Sequence, residues 1–333
     1  MPRLRAERRL APLDGVDLVL ADLDGVVYRG AGAVRYAVDA LNAAQDSGIR
    51  VGYVTNNASR TDASVAEHLR TLGLRTAPED VVTSPQAAVR LLAEHVRAGS
   101  RVLVTGGEGL SHEVAKAGFL PVASADERPA AVIQGFAPHL GWKDLAEAAF
   151  ALADPDVVWV ATNMDWTIPV ERGIAPGNGT LVSAVHTAVG RLPLVAGKPE
   201  RAIFDAAVAR FGARKALMVG DRLDTDILGA NRAGIASALV LTGIDRAKQL
   251  LAAKPDERPT YILDDLRGLR APYPPTEAKG DVTGVGEAKV RIAGARVEIV
   301  KGVGTDLLRA ACAAIWASGT PIYALEVPES LYT

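Results

Sequence analysis

The feature that most restricts the fold is a repeated unit. A short, unbroken apolar run passes directly into a cluster of acids, amides or glycines, and a helical pattern follows. VDLVLA (16–21) runs into Asp22-Leu23-Asp24-Gly25, and RVGYVT (50–55) into Asn56-Asn57. LVA (194–196) runs into Gly197-Lys198-Pro199, and ALMV (216–219) into Gly220-Asp221-Arg222-Leu223-Asp224-Thr225-Asp226. Strands buried on both faces read as continuous rather than alternating apolar runs, and parallel neighbours need a crossover between them. The helical patterns at 37–47, 60–72, 85–97, 180–189, 199–211 and 224–233 supply those crossovers, with further strands at 81–84, 237–241 and 261–263. The expected class is α/β, with a Rossmann-like parallel sheet covered on both faces. In such sheets ligands bind beyond the carboxyl ends of the strands, where these clusters fall.

A second α/β rhythm occupies 86–178, with strands at 101–104, 130–133 and 157–161 and helices at 108–117 and 142–153. It is expected as an inserted domain, after which the first rhythm resumes. APYPPT (271–276) reads as a linker, because proline fixes φ and removes donors. Beyond it, 287–292 and 296–300 read as a hairpin through Gly294, 306–317 as a helix and 321–326 as a strand. A ββαβ unit of about 55 residues is too small to bury a robust core alone. It is expected to pack on the main body or on a partner subunit.

Charge narrows the function. Thirty-seven Lys and Arg against 39 Asp and Glu leave a net charge of −2, so no global field favours nucleic acid or a membrane. Aromatics at 5% argue against base-stacking surfaces. Cys312 is the single cysteine, which excludes an intrachain disulfide and a multi-thiolate metal site and favours a reducing cytoplasm. Residues 1–13 read as a basic, flexible lead-in, with a short amphipathic anchor as the alternative. The run at 16–21 is too short to span a bilayer.

The chemistry sits in the clusters. Asp22 and Asp24 are two apart, so in extended backbone both carboxylates can face one pocket, and Gly25 lets the chain turn away. A turn with solvated carboxylates is the alternative. Asp221, Asp224 and Asp226 gather more acid at a strand end, where crowded carboxylates call for a cation. Oxygen donors without thiolates favour Mg²⁺. Helix capping is the alternative for Asp224 and Asp226. Thr55, Asn56 and Asn57 can donate hydrogen bonds to phosphoryl oxygens, and Lys198 can neutralise a phosphate as a point charge; turn or cap residues and a solvated lysine are the alternatives.

Asp-x-Asp-Gly, Thr-Asn-Asn, Gly-Lys-Pro and Gly-Asp-x-x-x-Thr-Asp, in that order and each after a strand, resemble the haloacid dehalogenase superfamily of phosphatases. TNN, TNMDW (162–166), GKP and GDRLDTDIL (220–228) look like its class IIA branch, the NagD-like, 4-nitrophenylphosphatase and phosphoglycolate phosphatase type. That resemblance implies a phosphatase core at 14–85 and 179–268 and an α/β cap at 86–178. The layout, including an acetyltransferase-like (GNAT-like) accessory unit at 277–333, resembles bacterial D-glycerol-3-phosphate phosphatases.

The resemblance implies roles as well. Asp22 is the nucleophile and becomes an aspartyl-phosphate, and Asp24 is the general acid and base. Mg²⁺ is held by the Asp22 carboxylate, the Asp24 backbone carbonyl and Asp221, and screens the approach of anion to anion. Lys198, Thr55, Asn56 and Asn57 receive the phosphate beside Gly25. Asp226 supports a metal-bound water or Lys198 from behind. In the cap, Asn163, Asp165 and Trp166 select substrate, or else only cap and pack a turn, and Gly177 and Gly179 serve as hinges.

The same resemblance implies glycerol 3-phosphate as the first expected substrate, in the setting of glycerophospholipid metabolism. Phosphoglycolate, pyridoxal phosphate and 4-nitrophenyl phosphate come next, and a non-catalytic sensor or a phosphotransferase stands as the reading from another class. The expected partner is a small phosphorylated metabolite, without nucleic acid or membrane insertion. Self-association through the cap or the C-terminal unit is the further expectation.

Overall fold

The computed structural model describes residues 10–58, 60–170 and 172–333, omitting the side chains of Pro169 and Val170. Of the basic lead-in expected at 1–13, residues 1–9 lie outside the described residues. Leu13 is buried and its N–H donates to the Leu269 carbonyl, so the lead-in ends by residue 13 in fixed structure. The chain forms two compact units, residues 10–51 with Ala213–Thr333, and Gly52–Gly212.

In the first unit four parallel strands lie in the order Tyr261–Leu263, Ala236–Val240, Ala216–Gly220, Leu18–Ala21. Leu18 to Ala21 and Leu217 to Val219 are wholly buried, as unbroken apolar runs demand. The parallel α/β expectation therefore holds. Register then does the positioning. Leu18 pairs with Ala216 and Ala21 with Val219, so the next residues on both strands, Asp22 and Gly220-Asp221, emerge at one sheet edge.

The C-terminal segment belongs to this unit and departs from the expected ββαβ. Four antiparallel strands, Thr276–Lys279, Val282–Val285, Ala288–Ala293 and Arg296–Lys301, lie in chain order and precede the helix Gly304–Ser318. The first two were hidden from pattern reading, because Thr276–Lys279 is exposed throughout and Val282–Val285 buries only Val285. No strand forms at 321–326. Ile322–Ala324 is a 3₁₀ turn behind Pro321, and Glu326 makes one isolated bridge to Arg296. Leu307, Leu308, Cys312 and Ile315 share one apolar cluster with Leu239, Leu250, Leu251 and Ile262, so the segment packs on the main body. Burial pushes the Cys312 thiol far above its ordinary range, which leaves it unreactive.

The second unit carries a parallel pair, Arg50–Thr55 with Val81–Thr83, and a separate five-stranded parallel sheet. The latter runs Leu194–Val195, Val158–Ala161, Ala131–Gln134, Arg101–Thr105, Leu120–Val122. The strand near 194–196 was expected in the first rhythm. It is instead the edge of this second sheet, pairing Leu194 with Val160 and Val195 with Ala161. Strand Leu120–Val122 holds a proline and is mostly exposed, the hairpin Thr167–Val170 with Gly173–Pro176 is short, and the sequence reading expected neither. After Val81–Thr83, Thr83 caps helix Ser84–Ala93 reciprocally with Gln86. Among the described residues, no helix is long and apolar enough to cross a membrane.

Candidate active site

In the first unit, the Asp22 N–H donates to the Val219 carbonyl (2.9 Å), extending the ladder one residue past strand Leu18–Ala21. The chain then turns at Gly25, whose φ of 77° suits glycine, and the Gly25 N–H donates to the Tyr28 carbonyl. Asp22 is half-buried and Asp24 exposed. Asp221 and Asp226 are buried. One carboxylate oxygen from each of Asp22, Asp221 and Asp226 lies within 4.8 Å of the other two.

The loop after Ala216–Gly220 decides which further acid joins the cluster. Residues Leu223–Ile227 form a wide π-helical turn, in which the N–H groups of Asp226 and Ile227 both donate to the Arg222 carbonyl. That turn brings the Asp226 carboxylate back over the start of the loop. Its Oδ2 accepts the N–H groups of Asp221 (3.2 Å) and Arg222 (3.1 Å). Asp224 faces outward and pairs with the Arg222 guanidinium at 2.9 and 2.7 Å. The helix expected at 224–233 is regular only over Leu228–Ala233.

Glycines wall the cluster. A Cβ on Gly220 would fall 2.1 Å from Asp226 Cβ, and one on Gly25 would fall 2.3 Å from Asp221 Oδ2. Only glycine lets the backbone lie that close to the carboxylates. Sequence reasoning did not single out the loop at 242–245, which follows strand Ala236–Val240. The Ile244 N–H donates to Asp221 Oδ2 (2.7 Å), the Asp245 N–H to the Asp221 carbonyl (3.1 Å), and the Thr242 hydroxyl to the Gly25 carbonyl (2.7 Å). Burial holds the Asp245 carboxyl above its ordinary range, against the lowering effect of the Leu223 N–H that it accepts. No spacing pattern marks this loop; a lone acid after a strand is a common turn residue.

In the second unit, Thr55 and Lys198 are buried, Asn56 is half-buried and Asn57 exposed. Asn56 is a hub. Its Nδ2 donates to Asp165 Oδ1 (3.1 Å) and the Lys198 carbonyl (3.0 Å), and its Oδ1 accepts the Lys198 N–H (2.8 Å). Its backbone carbonyl accepts from Asn163 Nδ2 and from the Ser84 hydroxyl, both at 2.8 Å. The Thr55 hydroxyl oxygen accepts the Asn57 N–H (3.1 Å), and Lys198 Nζ donates to the Val54 carbonyl (3.4 Å). Thr55, Asn56, Asn57 and Lys198 therefore form one cross-linked group.

Asn163 and Asp165 join that group. Asn163 Oδ1 accepts the Asp165 N–H (3.1 Å), and the Asn163 carbonyl accepts Asn178 Nδ2 (2.8 Å). Trp166 stands apart, 63% exposed. Gly177 and Gly179 are held by N–H bonds to the Trp166 and Asp165 carbonyls. A Cβ would collide with the Asp165 or Met164 carbonyl, so close packing requires glycine at both.

Three carboxylates with hard oxygens, two of them buried, are a donor set that fits a divalent cation such as Mg²⁺. Two family models match the sequence, one described as haloacid dehalogenase-like hydrolase over residues 19–120 and one as HAD-hydrolase-like over 195–269. A D-glycerol 3-phosphate phosphatase of Mycobacterium tuberculosis is 51% identical over 253 residues, which is 76% of this chain and 70% of the relative. The chain belongs to the haloacid dehalogenase-like hydrolases. A glycerol-3-phosphate phosphatase of Gallus gallus shares 39% identity over 80% of this hydrolase and 95% of its own length. The crystal structure of a glycerol phosphate phosphatase from Mycobacterium tuberculosis in complex with magnesium superposes with a TM-score of 0.85. It is 42% identical and covers 96% of this chain and 94% of its own.

Proposed function

We propose that this hydrolase is a Mg²⁺-dependent phosphomonoesterase acting on a small phosphometabolite, with glycerol 3-phosphate as its substrate. The observation that carries the reading is the cluster of Asp22, Asp221 and Asp226 carboxylates at one sheet edge, with Asp24 two residues beyond Asp22. The names of the two relatives reported above support the substrate.

Asp22 attacks phosphorus, forming an O–P bond as the P–O bond to the leaving alcohol breaks. Asp24 gives its proton to the departing oxygen. It then takes a proton from the water that attacks the aspartyl-phosphate, and phosphate leaves as the Asp22 carboxylate is restored. Asp22, Asp221 and the Asp24 carbonyl would hold Mg²⁺, which supplies positive charge for the meeting of carboxylate and phosphate anions. Asp226 holds the Asp221 turn through two backbone N–H groups. Lys198 neutralises phosphate charge, and Thr55 and Asn57 donate to its oxygens. Asn56 places Lys198 through that residue's N–H and carbonyl.

In the same reading, 86–178 is the cap domain, 14–85 and 179–268 are the phosphatase core, and Asn163, Asp165 and Trp166 select substrate. Residues 277–333 are an accessory unit, and self-association and a cytoplasmic setting complete the proposal.

Phosphate release with Mg²⁺ tests it, on glycerol 3-phosphate, phosphoglycolate, pyridoxal phosphate and 4-nitrophenyl phosphate. Glycerol 3-phosphate should lead in kcat/KM, EDTA should abolish turnover and Mg²⁺ restore it, and Asp22→Asn should be inactive but folded. Another ester in the lead would discard the substrate. Turnover by Asp22→Asn would discard the mechanism, and silence on all four esters would favour a non-catalytic sensor.

A further inference from the structure

The loop at 242–245 touches the acid cluster at more points than any chemistry assigned to it requires. Ile244 donates its N–H to one Asp221 oxygen, which stops the carboxylate from rotating. Asp245 and the Asp221 turn exchange two bonds: the Asp245 N–H donates to the Asp221 carbonyl (3.1 Å), and the Leu223 N–H donates to Asp245 Oδ2 (2.6 Å). On its other side the loop grips the turn after Asp22. The Thr242 hydroxyl donates to the Gly25 carbonyl (2.7 Å), and Arg29 Nη2 donates to the Gly243 carbonyl (3.3 Å). Gly243 admits the close approach, since a Cβ there would lie 1.8 Å from Asp221 Oδ2.

Each side of the acid cluster thus hangs from the same four residues. We infer that 242–245 is a clasp that sets the separation of the Asp22 and Asp221 turns and the rotation of the Asp221 carboxylate, with Asp245 its positioning residue. The inference rests on the metal reading above. Asp245 acts as a hydrogen-bond acceptor for Leu223 and not as a metal ligand; its carboxylate is outside the group formed by Asp22, Asp221 and Asp226. An acceptor of similar shape should therefore replace it.

Calorimetric titration of the full chain with Mg²⁺ reads this directly, without turnover. Residues that orient a metal ligand typically contribute 10–100-fold in affinity, so Asp245→Ala should bind Mg²⁺ about 10–100-fold more weakly than wild type. Asp245→Asn keeps an acceptor for the Leu223 N–H and should stay within about threefold, a residual well below that range. Asp245→Ala with wild-type affinity, or Asp245→Asn as weak as Asp245→Ala, would overturn the clasp. If Asp245→Ala fails to fold by circular dichroism, Thr242→Val carries the test from the other side. It should lower kcat by about tenfold, the effect of slight misplacement of reacting groups, and leave KM nearly unchanged; an unchanged kcat would overturn the clasp. Absence of Mg²⁺ binding by the wild type is a separate outcome and would remove the metal reading itself.

Discussion

Asn56→Ala is the sharpest perturbation of the second unit, because one side chain makes three of the bonds that tie the cross-linked polar group together. Two are neutral, to the Lys198 N–H and carbonyl, and one is to the Asp165 carboxylate. A neutral hydrogen bond contributes about 0.5–1.5 kcal/mol net and one to a charged group about 1.5–3. Asn56 is half-buried, so water replaces part of what is lost, and the expected cost is about 2–4 kcal/mol rather than the full total. In a unit of this size that lowers Tm by about 5–15 °C. Urea unfolding followed by circular dichroism measures the cost. A double-mutant cycle with Asp165→Ala should return a coupling of about 1 kcal/mol or more. Asn56→Asp should be no better than alanine. It keeps an acceptor for the Lys198 N–H but loses both donors and sets a second carboxylate against Asp165. A loss below about 0.5 kcal/mol for Asn56→Ala, or a cycle without coupling, would refute the hub.

Three further perturbations bear on the first unit. Gly220→Ala would drive a methyl into Asp226, so thermal unfolding should show a loss of about 1–3 kcal/mol, typical of overpacking. Asp224→Ala removes a surface pair with Arg222, so stability should change by no more than about 1 kcal/mol; a larger loss, or loss of turnover, would give Asp224 a role beyond the surface. Backbone N–H groups of Arg214 and Lys215 hold the Asp17 carboxyl below the usual carboxylate range. Its stabilising effect is therefore present above the unfolded-state pKa of about 4 and is lost as pH falls through the lower folded value, so Asp17→Asn should flatten the acid limb of the stability–pH curve.

The parts of the fold visible beforehand were those where one physical cause acts alone. Strands Leu18–Ala21 and Ala216–Gly220 are buried on both faces, and an unbroken apolar run has no other simple explanation. Strand Thr276–Lys279 has no buried residue, and Gly173–Pro176 carries proline and little burial, so neither leaves a periodic trace. The strand at 194–196 was visible, but its sheet was not, because strand order is set by packing between distant segments. At the site, the spacing of Asp22 and Asp24 was legible. As acids near a helix start Asp224 and Asp226 read alike, and only the resemblance set Asp226 apart; the wide turn at Leu223–Ile227 supplies the physical reason. Asp245 left no sign, since its contacts exist only where two loops meet.

The two groups of polar residues are held in different ways, and chemistry explains the contrast. Asn56, Asn163, Asp165 and Asn178 are fixed largely by side-chain amides, which suits residues that must place one another's backbone. Asp221 and Asp226 accept the backbone N–H groups of Ile244, Asp221 and Arg222, with glycine backbone pressed against them. A carboxylate oxygen can be oriented without a full positive charge. A backbone N–H orients the same oxygen through a partial charge alone. The glycines at 25, 220 and 243 follow from that choice, because backbone reaches a carboxylate only where no side chain stands between them.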